Sequence, residues 1–272
     1  KITSSNLEIS TKSILLKDLV SFARTTTNRT ELFFLERMIS NGYVILDVNL
    51  NFDENGNIKN DYEIRGILRD GKINFFKKYN FEEINFLLSV KNNIFNFKDI
   101  RFTTNKINFL SDSLKVTKNK KDFIFEGVIE NKNSTLNNIQ HDLKKLNFQN
   151  IIFSSKNDFS FKVDNKFKLK NLVITSEIEI DEFEYKKPDF VSEYFPKVEN
   201  IIFMKDHKIK VIFKKDNYFV KGLGKVKLQK EYDEIEYVIN SKNKDFNSNF
   251  KIALSELSLK SQEFLKNFLP NI

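Results

Sequence analysis

Apolar and polar residues alternate along most of this chain, which is the pattern of β-strands with one dry face. In the clearest run, every second residue from Val44 to Phe52 is apolar, and most residues between them are polar. A tight turn is predicted at Asn55-Gly56, and the alternation resumes at Tyr62. Similar runs continue to Leu254, separated by Lys, Asn and Asp at the spacing of meandering antiparallel strands. The pattern predicts a mainly β fold of roughly 16 strands.

Three predicted strands share a five-residue pattern: aromatic, any residue, apolar, charged, glycine. The copies lie at 62–66, 123–127 and 218–222. In the first copy, Tyr62, Ile64 and Gly66 fall on one face of the strand. We expect a bulge or bend at the three glycines, because such positions tolerate a missing side chain. A further turn is predicted at Asp70-Gly71.

Four segments have the apolar spacing of helices. The first runs from Thr26 to Ser40 and is expected to end in a cap at Asn41-Gly42. The others span 134–146, 188–195 and 261–269. We expect these short helices to brace, plug or cap the sheet.

The ends of the last two helices suggest repetition. Each is followed by a proline, Pro196 or Pro270, directly after a pair of large apolar residues. The chain also begins at Lys1 without an initiator Met. We therefore expect 1–272 to be a section of one continuous repetitive β protein, cut from a longer chain. Loose subdivisions are expected at 1–133, 134–196 and 197–272.

Composition limits the function classes. Of 272 residues, 40% are hydrophobic and 30% charged, which fits a folded chain. The 29 Phe, the absence of Trp and the abundance of Ile, Lys and Asn are typical of an AT-rich genome. The net charge of +8 is therefore interpreted as lysine on solvated strand faces, with attraction to nucleic acid or an anionic membrane as the alternative. Without cysteine there is no disulfide or thiolate metal site. No apolar run is long enough to span a bilayer, so any anchor would lie outside this sequence.

Few residues are suited to chemistry. His141 and His207 are far apart in polar contexts, and we interpret both as surface histidines. Asp181, Glu182 and Glu184 are interpreted as a solvated strand end instead of a cation site. No nucleophile elbow, phosphate-binding loop or zinc-protease motif is present. The sequence predicts no catalytic residue, no metal, no cofactor and no enzymatic activity.

Of three uses of the apolar face, two remain after nucleic-acid binding is set aside. Nucleic acid could stack on exposed aromatic residues, but the aromatics share faces with Ile, Leu and Val while the lysines lie opposite or at turns. A second sheet could cover the apolar face in a closed sandwich. Alternatively, a curved sheet about 75 Å long could line a groove for lipid acyl chains. From these patterns alone, sandwich and groove are equally supported.

Several segments resemble the AsmA-like proteins, in particular the group related to YhdP and TamB. They are Gly42 to Gly56, Tyr62-Glu-Ile-Arg-Gly66, Asp70-Gly71-Lys-Ile73, Phe97-Lys-Asp-Ile100, Phe123-Ile-Phe-Glu-Gly127, and 234–239 followed by Phe246 and Phe250. The resemblance is diffuse and extends along most of the chain. It implies a periplasmic protein of Gram-negative bacteria, anchored in the inner membrane by a segment absent from this chain.

The resemblance also implies a fold and a function. Such proteins form a long antiparallel β-sheet curved into an apolar groove, with a few short flanking helices. They are thought to carry phospholipid between the inner and outer membranes as bridge-like lipid-transfer proteins, and they have no catalytic residues to carry over.

We therefore expect phospholipid as the ligand, the two membranes as partners through parts outside this chain, and no nucleic acid. The expected groove lining is Val44, Leu46, Val48, Leu50, Tyr62, Ile64, Ile84, Phe86, Leu88, Phe123, Phe125, Ile209, Val211, Phe213, Tyr218 and Val220. For each of these positions, the simpler interpretation is an ordinary core residue. The alternative function is a β-rich structural or adhesive envelope protein with a closed core and no lipid.

Overall fold

The computed structural model describes residues 5–26, 30–59, 61–75, 79–119, 122–135, 148–164, 168–187, 197–215, 217–242 and 245–253. In this part of the chain, the fold is mainly β with two short helices, as the alternation predicts. The helices are α1 (Leu16–Thr26) and α2 (Thr30–Met38). The strands are β1 (Ser5–Ser10), β2 (Ile14–Leu15), β3 (Ile39–Phe52), β4 (Glu63–Phe75), β5 (Tyr79–Lys91), β6 (Ile94–Thr104), β7 (Ile107–Lys118), β8 (Asp122–Thr135), β9 (Phe148–Asp164), β10 (Leu169–Lys186), β11 (Ile201–Lys214), β12 (Asn217–Lys227), β13 (Tyr232–Lys242) and β14 (Asp245–Ala253).

The strands form one open antiparallel sheet with the simplest possible topology. β1 pairs with β3, and from β3 to β14 each strand pairs with the next one in the sequence. The short β2 also pairs with β3. The prediction of a long meandering antiparallel sheet is confirmed.

Several local predictions are wrong or incomplete. The first predicted helix is shorter, because β3 already begins at Ile39 and contains the expected cap at Asn41-Gly42. Asp70-Gly71 is no turn but lies inside β4. Neither α1 nor β1 was predicted. Ser134 and Thr135, the first two residues of the helix predicted at 134–146, are the last residues of β8. The rest of that helix and the helices predicted at 188–195 and 261–269 lie outside the described residues.

The chain divides into two compact units. The first unit comprises 1–131 and 157–173. Its main buried cluster is Val44, Leu68 and Ile84, against which Leu16 and Leu19 of α1 pack. The second unit comprises 132–156 and 174–272. Its cluster is Val198, Ile202, Val226 and Ile235.

Bulges interrupt the two-residue period in several strands. The register to a neighbouring strand shifts beside Asp70 in β4, Glu83 in β5, Asp99 in β6 and Asp206 in β11. These four residues have φ angles of 51°, 53°, 51° and 55°. A bulge adds one residue and shifts the period by one, so apolar side chains that are out of phase in the sequence share one face.

The bulges have a common sequence pattern. In each, an apolar residue is followed by a charged residue, then by an acidic residue with positive φ, and then by the next residue of the apolar face. The four copies are Leu68-Arg-Asp-Gly71, Phe81-Glu-Glu-Ile84, Phe97-Lys-Asp-Ile100 and Met204-Lys-Asp-His207. Short polar side chains such as Asp tolerate the left-handed region better than β-branched ones do. At the first bulge, the Asn85 side chain accepts a hydrogen bond from the Asp70 backbone N–H at 3.2 Å.

Candidate functional site

An unbroken row of apolar side chains crosses seven strands of the first unit. Directly paired residues of antiparallel strands project on the same face. The pairs therefore place one residue from each of β1 and β3 to β8 in line: Ile9, Val48, Ile64, Val90, Phe95, Val116 and Phe125. A second row lies beside it on the same face: Leu46, Gly66, Leu88, Phe97, Leu114 and Gly127. We call the face that carries these rows the apolar face.

The opposite face, called here the polar face, has the complementary pattern. The row one residue along is polar throughout: Ser10, Asp47, Arg65, Ser89, Asn96, Lys115 and Glu126. Arg65 forms an ion pair with Glu63 on the same strand at 2.8 Å. The largest apolar row on this face in the described pairs is short: Ile45, Ile67 and Leu87, ending at Lys98. The two faces of the first unit thus differ sharply in polarity.

In the described part of the chain, the apolar face is only partly covered. All described strands belong to one open sheet, so no separate second sheet is present among them to cover it. α1 packs over one end through Leu16 and Leu19. Side chains such as Ile64, Leu88 and Phe97 are half-buried, whereas the smaller Val90 and Val116 beside Phe95 are buried. A residue in the middle of a closed sandwich would be buried on this side.

All expected lining residues of the first unit lie on the apolar face. Val44 and Ile84 are buried in the cluster under α1, and the others are half-buried. Expected residues in the second unit share one face of β11 and β12, since Ile209 pairs with Gly222, Val211 with Val220 and Phe213 with Tyr218. Within each unit, the structure brings the expected residues onto one surface.

Sequence reasoning missed several residues of these surfaces. Six of them belong to predicted strands and could have been found from the pairing register: Leu68, Val90, Phe95, Phe97, Leu114 and Val116. Leu7 and Ile9 lie on β1, where they alternate with Asn6, Glu8 and Ser10, so the signal was present but only six residues long. Leu16 and Leu19 come from the unpredicted helix α1.

Glycines on the apolar side make room for side chains of neighbouring strands. A Cβ atom at Gly66 would lie 2.4 Å from Cδ2 of Leu46. One at Gly222 would lie 2.1 Å from the ring of Tyr237, and one at Gly224 would lie 2.4 Å from the ring of His207. Gly66 and Gly222 pair in regular register, so neither lies at a bulge. Their role is to accept a large neighbour.

Gly222 and Gly224 allow an aromatic row to form across the second unit. Phe183 of β10, His207 of β11, Tyr237 of β13 and Phe250 of β14 follow one another with ring centroids 5.2, 6.2 and 5.9 Å apart. The side chains of β11 and β13 approach each other above the two glycines of β12. Burial raises the pKa of Tyr237 to about 12, so its hydroxyl stays protonated.

His207 is not on the surface, contrary to the prediction; only 1% of it is exposed. Its Nε2 lies 3.3 Å from the carbonyl oxygen of Lys225, and its buried Nδ1 has no hydrogen-bond partner in the described part of the chain. Burial lowers the pKa of His207, against smaller opposite effects from that carbonyl and from Asp206. The sequence did contain a signal for this burial, because His207 lies two residues before Ile209 and therefore in phase with the apolar residues of the strand. His141 lies outside the described residues.

The described residues offer little for catalysis or metal binding. They contain no group of three or more His, Cys, Asp and Glu side chains that could hold a metal ion. Asp181, Glu182 and Glu184 lie near the end of β10, on either side of the buried Phe183. Neither of the described helices is long and apolar enough to cross a membrane.

Comparison of this chain with protein-family models, with curated proteins and with solved structures finds no match. The resemblance to AsmA-like proteins therefore stays a prediction.

Proposed function

We propose that this chain is a section of a periplasmic, bridge-like lipid-transfer protein, in which the apolar face shields phospholipid acyl chains. Transport between the inner and outer membranes, and anchoring through a segment outside this chain, are the parts of the proposal that rest on the resemblance. The observation that carries the rest is the apolar row of seven strands from Ile9 to Phe125, backed by a fully polar row, in a described sheet that is open.

Such a surface suits a hydrocarbon chain. Backbone donors and acceptors are paired within the sheet, so the face offers an acyl chain few unsatisfied polar groups. Apart from Gly66 and Gly127, the two rows consist of Ile, Leu, Val and Phe, whose side chains carry no polar atom. Each methylene group removed from water contributes about 0.8 kcal/mol, so a chain lying along several strands would be held by its length without a specific contact.

The alternative, a structural or adhesive protein with a closed core, requires a layer over this face. α1 supplies such a layer only at one end, over Val44, Leu68 and Ile84. The half-buried state of Ile64, Leu88 and Phe97 supports an open surface. We therefore keep the closed core as the competing outcome of the test.

Two neighbouring residue pairs allow a matched test. Leu88 and Phe97 are direct partners on the apolar face, and Ser89 and Asn96 are direct partners one residue along on the polar face. We expect a photoreactive amino acid at Leu88 or Phe97 to crosslink phospholipid after incubation with bacterial phospholipid vesicles. The same amino acid at Ser89 or Asn96 should crosslink little. Mass spectrometry of the adducts measures the difference.

The proposal fails if both pairs crosslink lipid equally or if neither pair does. Adducts at Leu88 and Phe97 with other residues of this chain, without lipid, would support the closed core instead.

A further inference from the structure

The apolar face of the first unit changes character along the direction of its strands. At the edge where β3–β4, β5–β6 and β7–β8 connect, the face ends in side chains with polar atoms. The Tyr62 hydroxyl donates a hydrogen bond to Oδ1 of Asn93 at 3.2 Å. The backbone N–H of Lys118 donates to the carbonyl oxygen of Asn93 at 2.9 Å. We call Tyr62, Asn93 and Lys118 the polar rim.

The Lys118 side chain belongs to the apolar side of the sheet. Lys118 pairs with Phe123, two residues from the Val116–Phe125 pair of the apolar row. Its Nζ lies 5.9 Å from the centroid of the Phe123 ring. In the described part of the chain, no carboxylate forms an ion pair with Lys118. An amine without a carboxylate partner at the margin of an apolar surface is available to an anion.

The opposite end of the face is aromatic. The rings of Phe102 and Phe109 stack with centroids 5.3 Å apart, and Phe81 meets Phe102 edge-on at 5.8 Å. Between the two ends lie Leu68, Ile84 and Ile100, all buried. An amphiphilic ligand would therefore have one favoured direction, with its polar group at the rim and its tail towards the phenylalanines.

The distances fit a lipid tail. The six residue steps from Tyr62 to Leu68 span about 20 Å along the strand at the usual rise per residue. One leaflet of a bilayer holds its acyl chains within about 15 Å, half the hydrocarbon thickness. A tail whose headgroup lies at the polar rim thus fits on the face and ends before Leu68 and the cluster under α1.

We propose that the polar rim binds the anionic phosphate headgroup of a lipid, and that Lys118 makes the first unit prefer anionic over zwitterionic phospholipids. This inference rests on the proposed function and adds the class of lipid and its direction on the sheet. A zwitterionic headgroup carries its own cation beside the phosphate, so the positive charge of Lys118 favours it less.

A competition experiment tests this preference. The protein is incubated with vesicles of equimolar phosphatidylglycerol and phosphatidylcholine with identical acyl chains, re-isolated and extracted for mass spectrometry. We expect the retained lipid to be enriched several-fold in phosphatidylglycerol, and the substitution Lys118→Gln to reduce this ratio about fivefold. Lys115→Gln is the matched control, because Lys115 lies on the same strand but on the polar face, paired with Glu126. It should leave the ratio unchanged.

The outcomes separate this inference from the proposed function. If both lipids are retained without preference, or if Lys118→Gln and Lys115→Gln act alike, the headgroup site is refuted while the proposed function stands. If the protein retains neither lipid, both fail.

Inorganic phosphate is added in a parallel sample. Loss of the anionic preference without loss of total lipid means that the rim recognises phosphate itself. If phosphate has no effect, the rim recognises the headgroup only together with its tail. In either case, a Lys118→Gln ratio equal to that of the wild-type protein without added phosphate overturns the site.

Discussion

The imidazole of His207 is enclosed by aromatic neighbours, with Phe183 on one side and Tyr237 on the other. The charged groups near it are Asp206 on its own strand and Lys225 on β12, and these two side chains pair with each other at 3.2 Å. Asp206 is therefore partly neutralised as a partner for an imidazolium ion. Burial is the largest influence and favours the neutral ring.

This lowered pKa predicts a loss of stability in mild acid. In the unfolded chain, His207 titrates near pH 6.5, and in the folded chain it titrates lower. Above that pH the ring is neutral in both states and contributes no pH dependence. As the pH falls, the unfolded state binds the proton first, so the free energy of unfolding decreases until the folded pKa is reached. Urea unfolding between pH 8 and pH 5 measures this slope.

The variant His207→Phe should have a smaller slope than the wild-type protein, because it retains a ring over Gly224 but cannot bind a proton. His141→Asn removes the other histidine and measures how much of the slope comes from that residue. Equal slopes in the wild-type protein and His207→Phe would contradict the assigned pKa shift.

The glycines give a second prediction for single residues. Gly222→Ala places a Cβ atom 2.1 Å from the ring of Tyr237, whereas Gly127→Ala places one 3.3 Å from Leu114. The end of the Tyr237 ring must move away from the new Cβ atom and give up part of its contact with Phe250, so we expect Gly222→Ala to cost about 1–3 kcal/mol of unfolding free energy and Gly127→Ala less. Chemical denaturation compares them.

A double-mutant cycle distinguishes a local clash from a backbone effect. In a Tyr237→Ala background, Gly222→Ala should lose most of its cost, because the obstructing ring is gone. If the cost persists in that background, Tyr237 is not the cause.

At the level of elements, bulges decide which side chains reach the apolar face. Leu68 and Gly71 lie on the same face although they are three positions apart, because Asp70 is inserted with a φ angle of 51°. Sequence reasoning treated Asp70-Gly71 as a turn, since both residues favour turns. Composition could not separate the two, because turns and bulges require the same left-handed backbone conformation.

The bulge conformation predicts the effect of substitutions at Asp70. Asp70→Val forces a β-branched residue into positive φ and should lower the unfolding free energy by about 1–2 kcal/mol. Asp70→Gly should be neutral or slightly stabilising, because glycine adopts this conformation without strain. Thermal unfolding of the two variants compares them at the same site, and similar destabilisation by both would mean that the carboxylate, and not the backbone, is what matters.

Helix α1 was missed although its amphipathic pattern is stronger than that of α2. Its buried Val20 and the packed Leu16 and Leu19 occupy one side. Its helical state depends on the sheet face that it covers, and short helices gain most of their stability from such tertiary packing. α2 was predicted because its apolar residues have helical spacing and Asn41-Gly42 follows as an expected cap, although β3 takes over its expected last residues.

For the whole molecule, the alternation of side chains was enough to predict strands, antiparallel order and one apolar surface. It was not enough to predict the pairing register, because the register depends on bulges. The bulge at Asp70 has the sequence of a turn, and the bulge at Asp206 lies among polar residues that give no apolar pattern. The rows that cross β1 to β8 appear only once each strand is aligned with the next. The proposed lipid surface thus follows from pairing more than from composition, and the crosslinking pair Leu88 and Phe97 was chosen from that pairing.

The inserted residue of a bulge is a position where the loss of one codon preserves the two faces. Without Asp206, the residues Met204, His207 and Ile209 would follow one another at a strict period of two and would stay on the same side of β11. Removing Lys208, which lies outside the bulge, would instead move every residue on one side of the gap to the opposite face. Two three-base deletions only two codons apart would thus have opposite consequences for which side chains face inward.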